Sequence, residues 1–267
     1  MDSIVNFREL GGYRLPNGKV VRHGKLFRGG SLENVSCRDI EQLRKWQIMY
    51  VFDFRTMYET EHHPDKMLMG ASRIWLPTFD ESAESMAKTV LPLEAYHDLG
   101  GWLVVNANRA EVQKLASKMY LDMVHNEYTQ LQYAAFLQTI VNSNGGAIYW
   151  HCSQGKDRTG LGAAYLLAAL GADRQTIMDD FNASADCYAE ELSRYICQVE
   201  SDEEKEVLQT FVSVNSKYFS EALDSIDQAY GSMEAFLRDV LCLTDHDKSV
   251  LQKAYLEDSF SLNIKRQ

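Results

Sequence analysis

The segment HCSQGKDRTG at residues 151–160 decides how this chain folds, because it joins an apolar run to a helix with few polar side chains. The run AIYW at 147–150 has the composition of a buried strand, and RTGLGAAYLLAAL at 158–170 has that of a buried helix. A helix buried against a sheet points its free N–H groups and the positive end of its dipole at the residues just before it. We therefore expect an anion-binding loop at residues 152–158.

Cys152 lies at the base of this loop, where the predicted strand ends. Successive backbone N–H groups would surround a bound anion, and Gly155 allows the backbone angles that such a loop requires. The same N–H groups and Arg158 would lower the pKa of the Cys152 thiol below its free value of about 8.5. A thiolate that faces a bound phosphate is a nucleophile directed at phosphorus, while Arg158 can clamp two phosphate oxygens. Thr159 would donate a hydrogen bond to the sulfur.

Other apolar segments extend this pattern into an α/β fold. IMYVFDF (48–54), ASRIWLP (71–77) and GGAIYWH (145–151) are predicted strands. Their helix-length spacing favours crossover connections and a short, mostly parallel sheet flanked by helices. Residues 18–29 are predicted to form a small hairpin that enters the domain.

Helices are expected to fill most of the remaining chain. Residues 109–141 are predicted to form one long amphipathic helix or two, and the chain from residue 171 to its end is predicted to be helical. Residues 80–108 are irregular and would form either a helical lid or an ordinary pair of surface helices. Because no linker or repeat divides the sequence, we expect a single domain over residues 1–267. The predicted N-caps are Ser36, Ser232 and Thr244.

The bulk composition limits the classes of partner. The 267 residues carry a net charge of −11, which disfavours binding to nucleic acid or to an anionic membrane surface. No apolar run approaches the length of a transmembrane segment, and the N-terminal residues show no secretory signal pattern. The five cysteines include no CxxC pair and fit reduced thiols better than disulfides. We expect a cytoplasmic protein, with export that uses no signal peptide as the second possibility.

His-Cys, five intervening residues and Arg-Thr-Gly resemble the signature loop of the cysteine-dependent protein tyrosine phosphatase superfamily. The fuller form HCSQGKDRTG is similar to the HCxxGKDRTG loop of a bacterial branch of that superfamily. Weaker matches follow in the order of that branch, and they are NFRELGGY (6–13), LFRGGSL (26–32), VFDFRTMYE (51–59), DDFNAS (179–184) and YGSMEAFL (230–237). The resemblance implies a tyrosine-phosphatase-like fold and hydrolysis of phosphate monoesters through a phosphocysteine at Cys152.

The resemblance also implies roles for the loop residues. Those expected to bind the phosphate of a substrate, or a free phosphate or sulfate ion, are Ser153, Gln154, Gly155, Lys156, Asp157 and Arg158. His151 is expected to support the loop backbone rather than act as a base. No metal or cofactor is implied, and the adjacent His62 and His63 do not form a chelate by their spacing alone.

The substrates that the resemblance implies are phosphotyrosine-containing proteins, with phosphoinositides or phosphoserine and phosphothreonine as further candidates. Lys156 resembles the loop lysine with which phosphoinositide phosphatases contact inositol ring phosphates, and a solvated surface lysine is the alternative. Arg8, Arg28 and Glu59 lie in the matching motifs, and we expect them first to form ion pairs that hold the fold.

Two aspartates are candidates for proton transfer. A general acid must protonate the leaving oxygen, and a carboxylate must then activate water against the phosphocysteine. Asp157 inside the loop is preferred, and Asp53 at the end of the first predicted strand is its partner or its alternative. The competing interpretation of Asp53 is a structural carboxylate paired with Arg55 or Arg28. The sequence contains no tryptophan-proline-aspartate loop.

Two other classes of function are weighed against the phosphatase. A phosphate-binding module would hold a phosphorylated partner and release it intact. A thiol enzyme such as a sulfur transferase or an arsenate reductase would use a similar loop, but an arsenate reductase needs resolving cysteines, and no second cysteine neighbours Cys152 in the sequence. The presence of Cys152, Arg158 and two candidate acids favours the phosphatase.

Overall fold

The computed structural model describes residues 1–79, 103 and 109–259. The first part of the chain carries most of the strands. Its elements are β1 (Arg8–Glu9), β2 (Lys19–Val21), β3 (Leu26–Gly29), α1 (Cys37–Lys45), β4 (Ile48–Asp53), α2 (Met57–His62) and β5 (Ser72–Trp75). The predicted lid at 80–108 lies outside the described residues, apart from Leu103.

The second part is mostly helical. Its elements are α3 (Arg109–His125), α4 (Glu127–Val141), β6 (Ala147–His151), α5 (Asp157–Leu170), α6 (Arg174–Asn182), α7 (Ala185–Ile196), α8 (Asp202–Val212), α9 (Ser216–Tyr230), α10 (Met233–Asp239), α11 (Asp245–Tyr255) and β7 (Leu256–Asp258). Residues 109–141 therefore form two helices rather than one. They separate at Asn126, whose side chain accepts hydrogen bonds from the N–H groups of Tyr128 and Thr129 and caps α4.

The central sheet has the strand order β1-β3-β6-β4-β5. β1 runs antiparallel to β3, and the other three neighbouring pairs are parallel. The three strands expected from their apolar content are β4, β5 and β6, which lie side by side. The α/β fold class with a short, mostly parallel sheet is thereby confirmed.

The two faces of the sheet are covered by different helices. Ile148 and Trp150 of β6 belong to the large core that includes the apolar residues of α4 and α5. Ala147 and Tyr149, which point the other way along the same strand, belong to a smaller core with Leu43 of α1. All five residues of β6 are buried, as a strand covered on both faces must be.

The strand register brings the carboxyl ends of four strands to one edge. Gly29 of β3 pairs with His151 of β6, His151 pairs with Asp53 of β4, and Asp53 pairs with Trp75 of β5. The chain leaves β6 at this edge and enters α5 within a few residues. Functional groups in parallel sheets gather at such edges, so the sheet places the loop at 152–158 beside the end of β4.

Local capping accounts for several helix starts. Ser36 accepts a hydrogen bond from the N–H of Asp39, and Ser232 and Thr244 cap α10 and α11 in the same way. These three N-caps were expected from the sequence and are confirmed. α5 is buried along most of its length, also as its composition predicted.

Two expectations about strand pairing are wrong. Residues 18–29 do not form a hairpin, because β2 pairs with β7 and β3 pairs with β1 and β6. The chain is also not helical to its end, because β7 at Leu256–Asp258 completes this two-stranded sheet. A three-residue strand that pairs with the opposite end of the chain carries no local pattern from which its partner could be read.

In the part of the chain that the structure describes, no helix combines the length and the apolar character needed to span a membrane.

Candidate active site

The loop between β6 and α5 is closed tightly around Gly155. Gly155 has a φ of +68°, a conformation that L side chains rarely adopt. A Cβ atom at this position would lie 2.1 Å from the carbonyl carbon of Gly29 and 2.6 Å from the nitrogen of Gly30. Both contacts are with backbone that cannot move aside, so the loop depends on a glycine here. The structure therefore brings the predicted loop against the end of β3.

Three side chains from outside the loop hold its carbonyl groups. Arg28 is fully buried and donates to the carbonyl oxygens of Gly155 at 2.9 Å and Lys156 at 3.1 Å. Asn6 donates to the same Gly155 oxygen at 2.7 Å, and the hydroxyl of Tyr188 donates to the carbonyl of Gln154. With their carbonyls turned outward to these donors, the residues of the loop can turn their N–H groups inward.

Asp180 of α6 joins the two arginines of the N-terminal motifs. Arg8 Nε lies 3.0 Å from Asp180 Oδ1, and Arg28 pairs with the other carboxylate oxygen. Burial lowers the pKa of Arg28, and the neighbouring charge of Arg8 lowers it further, to about 10 in spite of Asp180. Arg28 still carries its positive charge near neutral pH. The expectation that Arg8 and Arg28 form fold-holding ion pairs is confirmed, and Arg28 in addition supports the loop.

The Cys152 thiol is buried at the base of the loop, with 3% of the residue exposed. Burial raises the pKa of the thiol, whereas the charge of Arg158 and the hydroxyl of Thr159 lower it, and the net effect is a pKa below the ordinary value. Thr159 is itself fully buried in the first turn of α5. The position thus favours the thiolate, which is the form that reacts.

Glu59 of α2 holds the guanidinium of Arg158 in a two-pronged ion pair. Arg158 Nη1 and Nη2 lie 2.7 Å from the two carboxylate oxygens of Glu59. The Ser153 hydroxyl also donates to Glu59, which closes the α2 capping box with Thr56 as well. Burial raises the pKa of Glu59, but Arg158 and these hydrogen bonds lower it to about 2. Glu59 therefore orients two loop residues, Ser153 and Arg158. The sequence predicted an ion pair for Glu59 but not this role in the loop.

Asp53 is buried at the end of β4 and is bound by two arginines. Arg55 donates from Nε to Oδ1 at 2.9 Å and from Nη2 to Oδ2 at 2.8 Å. Arg73 donates to Oδ2 at 2.5 Å. Burial raises the pKa of Asp53, yet His151 and the arginines lower it far below its usual range. The pairing with Arg55 is as expected for a structural carboxylate, whereas Arg28 pairs with Asp180 instead.

His151 lies between the Cys152 backbone and a second buried carboxylate. Its Nδ1 is 3.1 Å from the carbonyl oxygen of Cys152, and its Nε2 is 3.2 Å from Asp65 Oδ2. Burial lowers the pKa of His151, but Asp53 and Asp65 outweigh burial and raise it. A protonated imidazole can donate from Nδ1 to the Cys152 carbonyl and pair electrostatically with the Asp65 carboxylate. The sequence placed Asp65 in a segment, His62 to Asp65, that was weighed only as a metal site and set aside.

The group Asp53, Asp65 and His151 has the spacing of a metal site but not its chemistry. Its three possible ligand atoms lie within 4.8 Å of one another. Arg55 Nη2 is already 2.8 Å from an oxygen of each aspartate. A metal cation would have to displace this guanidinium, so the group is an ion-pair network in which the arginine takes the place that a cation would need.

Asp157 opens α5 and is more exposed than the other carboxylates around the loop. Its side chain is 23% exposed, compared with 0% for Asp53. The hydroxyl of Tyr120, a buried residue of α3, donates to Asp157 Oδ1. Asp157 Oδ2 lies 3.8 Å from the ammonium of Lys156. The sequence did not single out Tyr120, because a tyrosine in a helix has the same signature as a core residue.

Lys156 is buried, with 3% of the residue exposed, so it is not a solvated surface lysine. Its ammonium donates to the carbonyl oxygens of Phe211 at 2.7 Å and Ser213 at 2.8 Å. These carbonyls belong to the C-terminal end of α8, where helix carbonyls lack partners within the helix. The ammonium also lies 5.4 Å from the centre of the Tyr188 ring. A contact between Lys156 and a second substrate phosphate stays a prediction.

A family model described as the tyrosine phosphatase family matches residues 1–257. The chain belongs to the tyrosine phosphatase family. The match covers the sheet, the cysteine loop and the helices that support it, and phosphatase activity follows from it for this chain.

Two bacterial relatives match nearly the full length of this phosphatase. A protein of Cupriavidus necator, named provisionally as a tyrosine-protein phosphatase, is 28% identical over 244 residues, which are 90% of this chain and 82% of the relative. The triple specificity protein phosphatase PtpB of Mycobacterium tuberculosis is 25% identical over 253 residues, which are 88% of this chain and 90% of the relative. A tyrosine-protein phosphatase of Nostoc commune is 28% identical over a shorter region of 116 residues.

Proposed function

We propose that the protein hydrolyses phosphotyrosine in protein substrates through a covalent phosphocysteine at Cys152. The observation that carries this proposal is the position of the buried Cys152 thiol, at the base of a loop that is closed on Gly155 and ends in Arg158, whose guanidinium Glu59 holds by two hydrogen bonds. Arg158 and Thr159 also lower the pKa of this thiol against the effect of burial. A thiol at a strand end with no functional task would have its pKa raised by burial alone. The lowered pKa supports a nucleophile rather than a packing residue.

In the first step, the Cys152 thiolate attacks phosphorus as the bond from phosphorus to the tyrosyl oxygen breaks. Asp157 gives its proton to that oxygen, so tyrosine leaves as a neutral phenol. Backbone N–H groups of residues 153–158 and the Arg158 guanidinium would hold the phosphoryl oxygens as they flatten in the transition state. Glu59 fixes the plane of that guanidinium beforehand, which spares the cost of orienting it during the reaction.

In the second step, water attacks the phosphocysteine. The Asp157 carboxylate takes a proton from this water, the sulfur–phosphorus bond breaks, and inorganic phosphate and the Cys152 thiolate are released. The Thr159 hydroxyl would stabilise the departing sulfur, as it favours the thiolate in the resting enzyme. Asp157 ends the cycle protonated again, so the balance requires only water and the phosphate ester.

Phosphotyrosine is the leading substrate class, and phosphoinositides are second. A lysine directed at ring phosphates would support the lipids, but the Lys156 ammonium already donates to two carbonyl groups. The net charge of −11 also disfavours an anionic membrane surface. The phosphoinositide alternative rests on the resemblance of the HCSQGKDRTG loop, and the name of one relative attributes three specificities to that protein.

We also propose that residues 1–267 act as one phosphatase domain in the cytoplasm. The family match over residues 1–257 supports a single unit. The five cysteines are free thiols in the structure, which agrees with a reducing compartment.

The test compares kcat/KM on a phosphotyrosyl peptide and on a short-chain phosphoinositide, using the wild type, Cys152→Ser and Arg158→Ala. We expect turnover of the peptide by the wild type, no turnover by Cys152→Ser, and loss of both turnover and phosphate binding in Arg158→Ala. Cys152→Ser should still bind inorganic phosphate in a calorimetric titration, because the loop that holds the anion is unchanged.

Three results would change the proposal. Turnover that survives Cys152→Ser would remove the phosphocysteine. A higher kcat/KM on the phosphoinositide would make the lipid the substrate class. Phosphate binding without turnover of either substrate by the wild type would favour a phosphate-binding module.

A further inference from the structure

The Tyr120 hydroxyl reaches the active-site loop from a helix that makes no other contribution to it among the described residues. Tyr120 belongs to α3 and is 2% exposed, and its hydroxyl donates to Asp157 Oδ1. The ring packs edge-on against Phe181 and Phe219, which stack on each other, with centroids 6.5 and 6.4 Å away. Because this packing leaves the ring little freedom, the hydroxyl is a fixed donor rather than a chance contact.

The choice of partner separates Tyr120 from the other buried tyrosines around the site. The hydroxyls of Tyr133, Tyr149 and Tyr188 donate to backbone carbonyls, which bear no transferable proton. Tyr120 instead meets a carboxylate that can gain and lose a proton. Burial and the charge of Asp157 raise the pKa of Tyr120 well above its ordinary value, so its hydroxyl keeps its proton wherever a phosphatase would work.

We propose that Tyr120 is a positioning residue that keeps the transferable proton of Asp157 on Oδ2. The Tyr120 hydroxyl occupies Oδ1 as a donor, and a carboxyl oxygen that accepts a hydrogen bond cannot also offer a proton along it. The proton of Asp157 is thereby confined to the second oxygen. Asp157 Oδ2 lies 3.8 Å from the Lys156 ammonium, which is too far for a hydrogen bond.

This inference rests on the proposed phosphocysteine mechanism. It predicts a loss of rate that depends on the leaving group, which a purely structural role of the buried Tyr120 would not produce. A positioned acid matters only when the leaving oxygen needs a proton. Tyrosine leaves as a phenol with a pKa of about 10 and needs it, whereas a dinitrophenol departs as a stable anion. Removing the Tyr120 hydroxyl should therefore slow the first class of substrate selectively.

The experiment measures kcat and KM of Tyr120→Phe on phenyl phosphate and on 2,4-dinitrophenyl phosphate. We expect kcat on phenyl phosphate to fall by about 10-fold, as part of the 10²–10⁴-fold that general acid catalysis supplies. On dinitrophenyl phosphate we expect a change of less than about twofold. The matched control is Tyr165→Phe, because Tyr165 is fully buried and its hydroxyl finds no hydrogen-bond partner among the described residues.

A double variant tests whether Tyr120 acts through Asp157. If it does, adding Tyr120→Phe to Asp157→Asn should change kcat on phenyl phosphate by less than about twofold, since coupled residues are not additive. Three results would overturn the proposal. The losses could multiply in the double variant, Tyr120→Phe could lose the same factor on both substrates, or Tyr120→Phe could show no loss at all. If the wild type turns over neither aryl phosphate, the proposed function itself fails, which is a separate outcome.

Discussion

Two aspartates lie within reach of the same loop, and the structure holds them in opposite ways. Asp53 is buried at the end of β4 between the guanidinium groups of Arg55 and Arg73. Asp157 is partly exposed at the start of α5 and is held by the neutral hydroxyl of Tyr120. Cations hold a carboxylate in its ionised form, whereas a hydroxyl can serve a carboxylate and a carboxylic acid alike. We therefore expect the partners, rather than the side chain itself, to decide which aspartate transfers protons.

The same contrast separates catalysis from stability. Asp53 and Arg55 are both buried, so loss of the Asp53 carboxylate would leave the Arg55 charge with one partner fewer and no access to water. Asp157 can lose its carboxylate with little effect on the fold, because it retains its place in the first turn of α5 as an amide. Variants at Asp157 should therefore lose turnover, whereas variants at Asp53 should lose stability.

The largest expected effect is on turnover by Asp157→Asn. An amide cannot protonate the leaving oxygen, so kcat on a phosphotyrosyl peptide should fall by about 10²–10⁴-fold. The free energy of unfolding should change by less than about 1 kcal/mol, because the replaced group is partly exposed. Steady-state kinetics and urea denaturation of the same preparation measure the two quantities. A folded Asp157→Asn enzyme with wild-type kcat would reassign the acid.

The next effect is on stability and belongs to Asp53→Asn. Asp53→Asn removes two charged hydrogen bonds of the buried Arg55 and leaves Asp65 as its remaining acidic partner, so the free energy of unfolding should fall by about 3–5 kcal/mol. Urea denaturation followed by circular dichroism would measure this loss. Asp53 would not be a structural carboxylate if Asp53→Asn kept wild-type stability and lost turnover as severely as Asp157→Asn does.

A smaller effect is the pH dependence that His151 contributes to stability. Because the folded protein raises the pKa of His151, its contribution is complete below the unfolded pKa of about 6.5 and is lost as pH rises through the folded pKa. Cys152 works in the other direction, because folding lowers its pKa and its contribution grows with rising pH. The two effects would overlap above neutral pH in the wild type.

The measurement therefore uses Cys152→Ser as the background. Its free energy of unfolding, followed from pH 6 to 9, should decline with rising pH. Adding His151→Gln should flatten this decline, because glutamine does not titrate. A slope that is the same in both proteins would mean that His151 is already neutral beside Asp65.

The smallest effect is expected for Arg73→Met. Arg73 binds Asp53 as Arg55 does, but its side chain is 45% exposed, compared with 1% for Arg55. Solvent screens the ion pair, so the free energy of unfolding should fall by less than about 1 kcal/mol. Turnover should be unchanged. A loss equal to that of Asp53→Asn would show that the whole network, rather than its buried pair, holds the aspartate.

The sequence predicted the parts of this site that depend on local pattern. The apolar run before Cys152, the glycine at 155 and the apolar helix after Arg158 are contiguous, so together they specify a strand, a turn and a buried helix. The parallel arrangement of β4, β5 and β6 followed from the spacing of their apolar segments for the same reason.

The long-range partners could not be predicted. Lys156 is bound by carbonyls of residues 211 and 213, and Asp157 by Tyr120, and no pattern within the loop encodes either contact. The pairing of β2 with β7 joins the two ends of the described chain and was missed in the same way. Asp65 and His151 join the expected pair of Asp53 and Arg55 because three segments converge at one edge of the sheet, which only the fold determines.

The most direct test of the account is to trap the phosphocysteine. Asp157→Asn and Asp53→Asn would be mixed with 2,4-dinitrophenyl phosphate, quenched rapidly and analysed by peptide mass spectrometry. The first step needs no proton with this substrate, whereas the second needs the Asp157 carboxylate, so Asp157→Asn should accumulate a phosphoryl group on Cys152. Folded Asp53→Asn should not accumulate it. Turnover by Asp157→Asn without phosphocysteine, accumulation of phosphocysteine by Asp53→Asn, or a phosphoryl group on another residue would contradict the account.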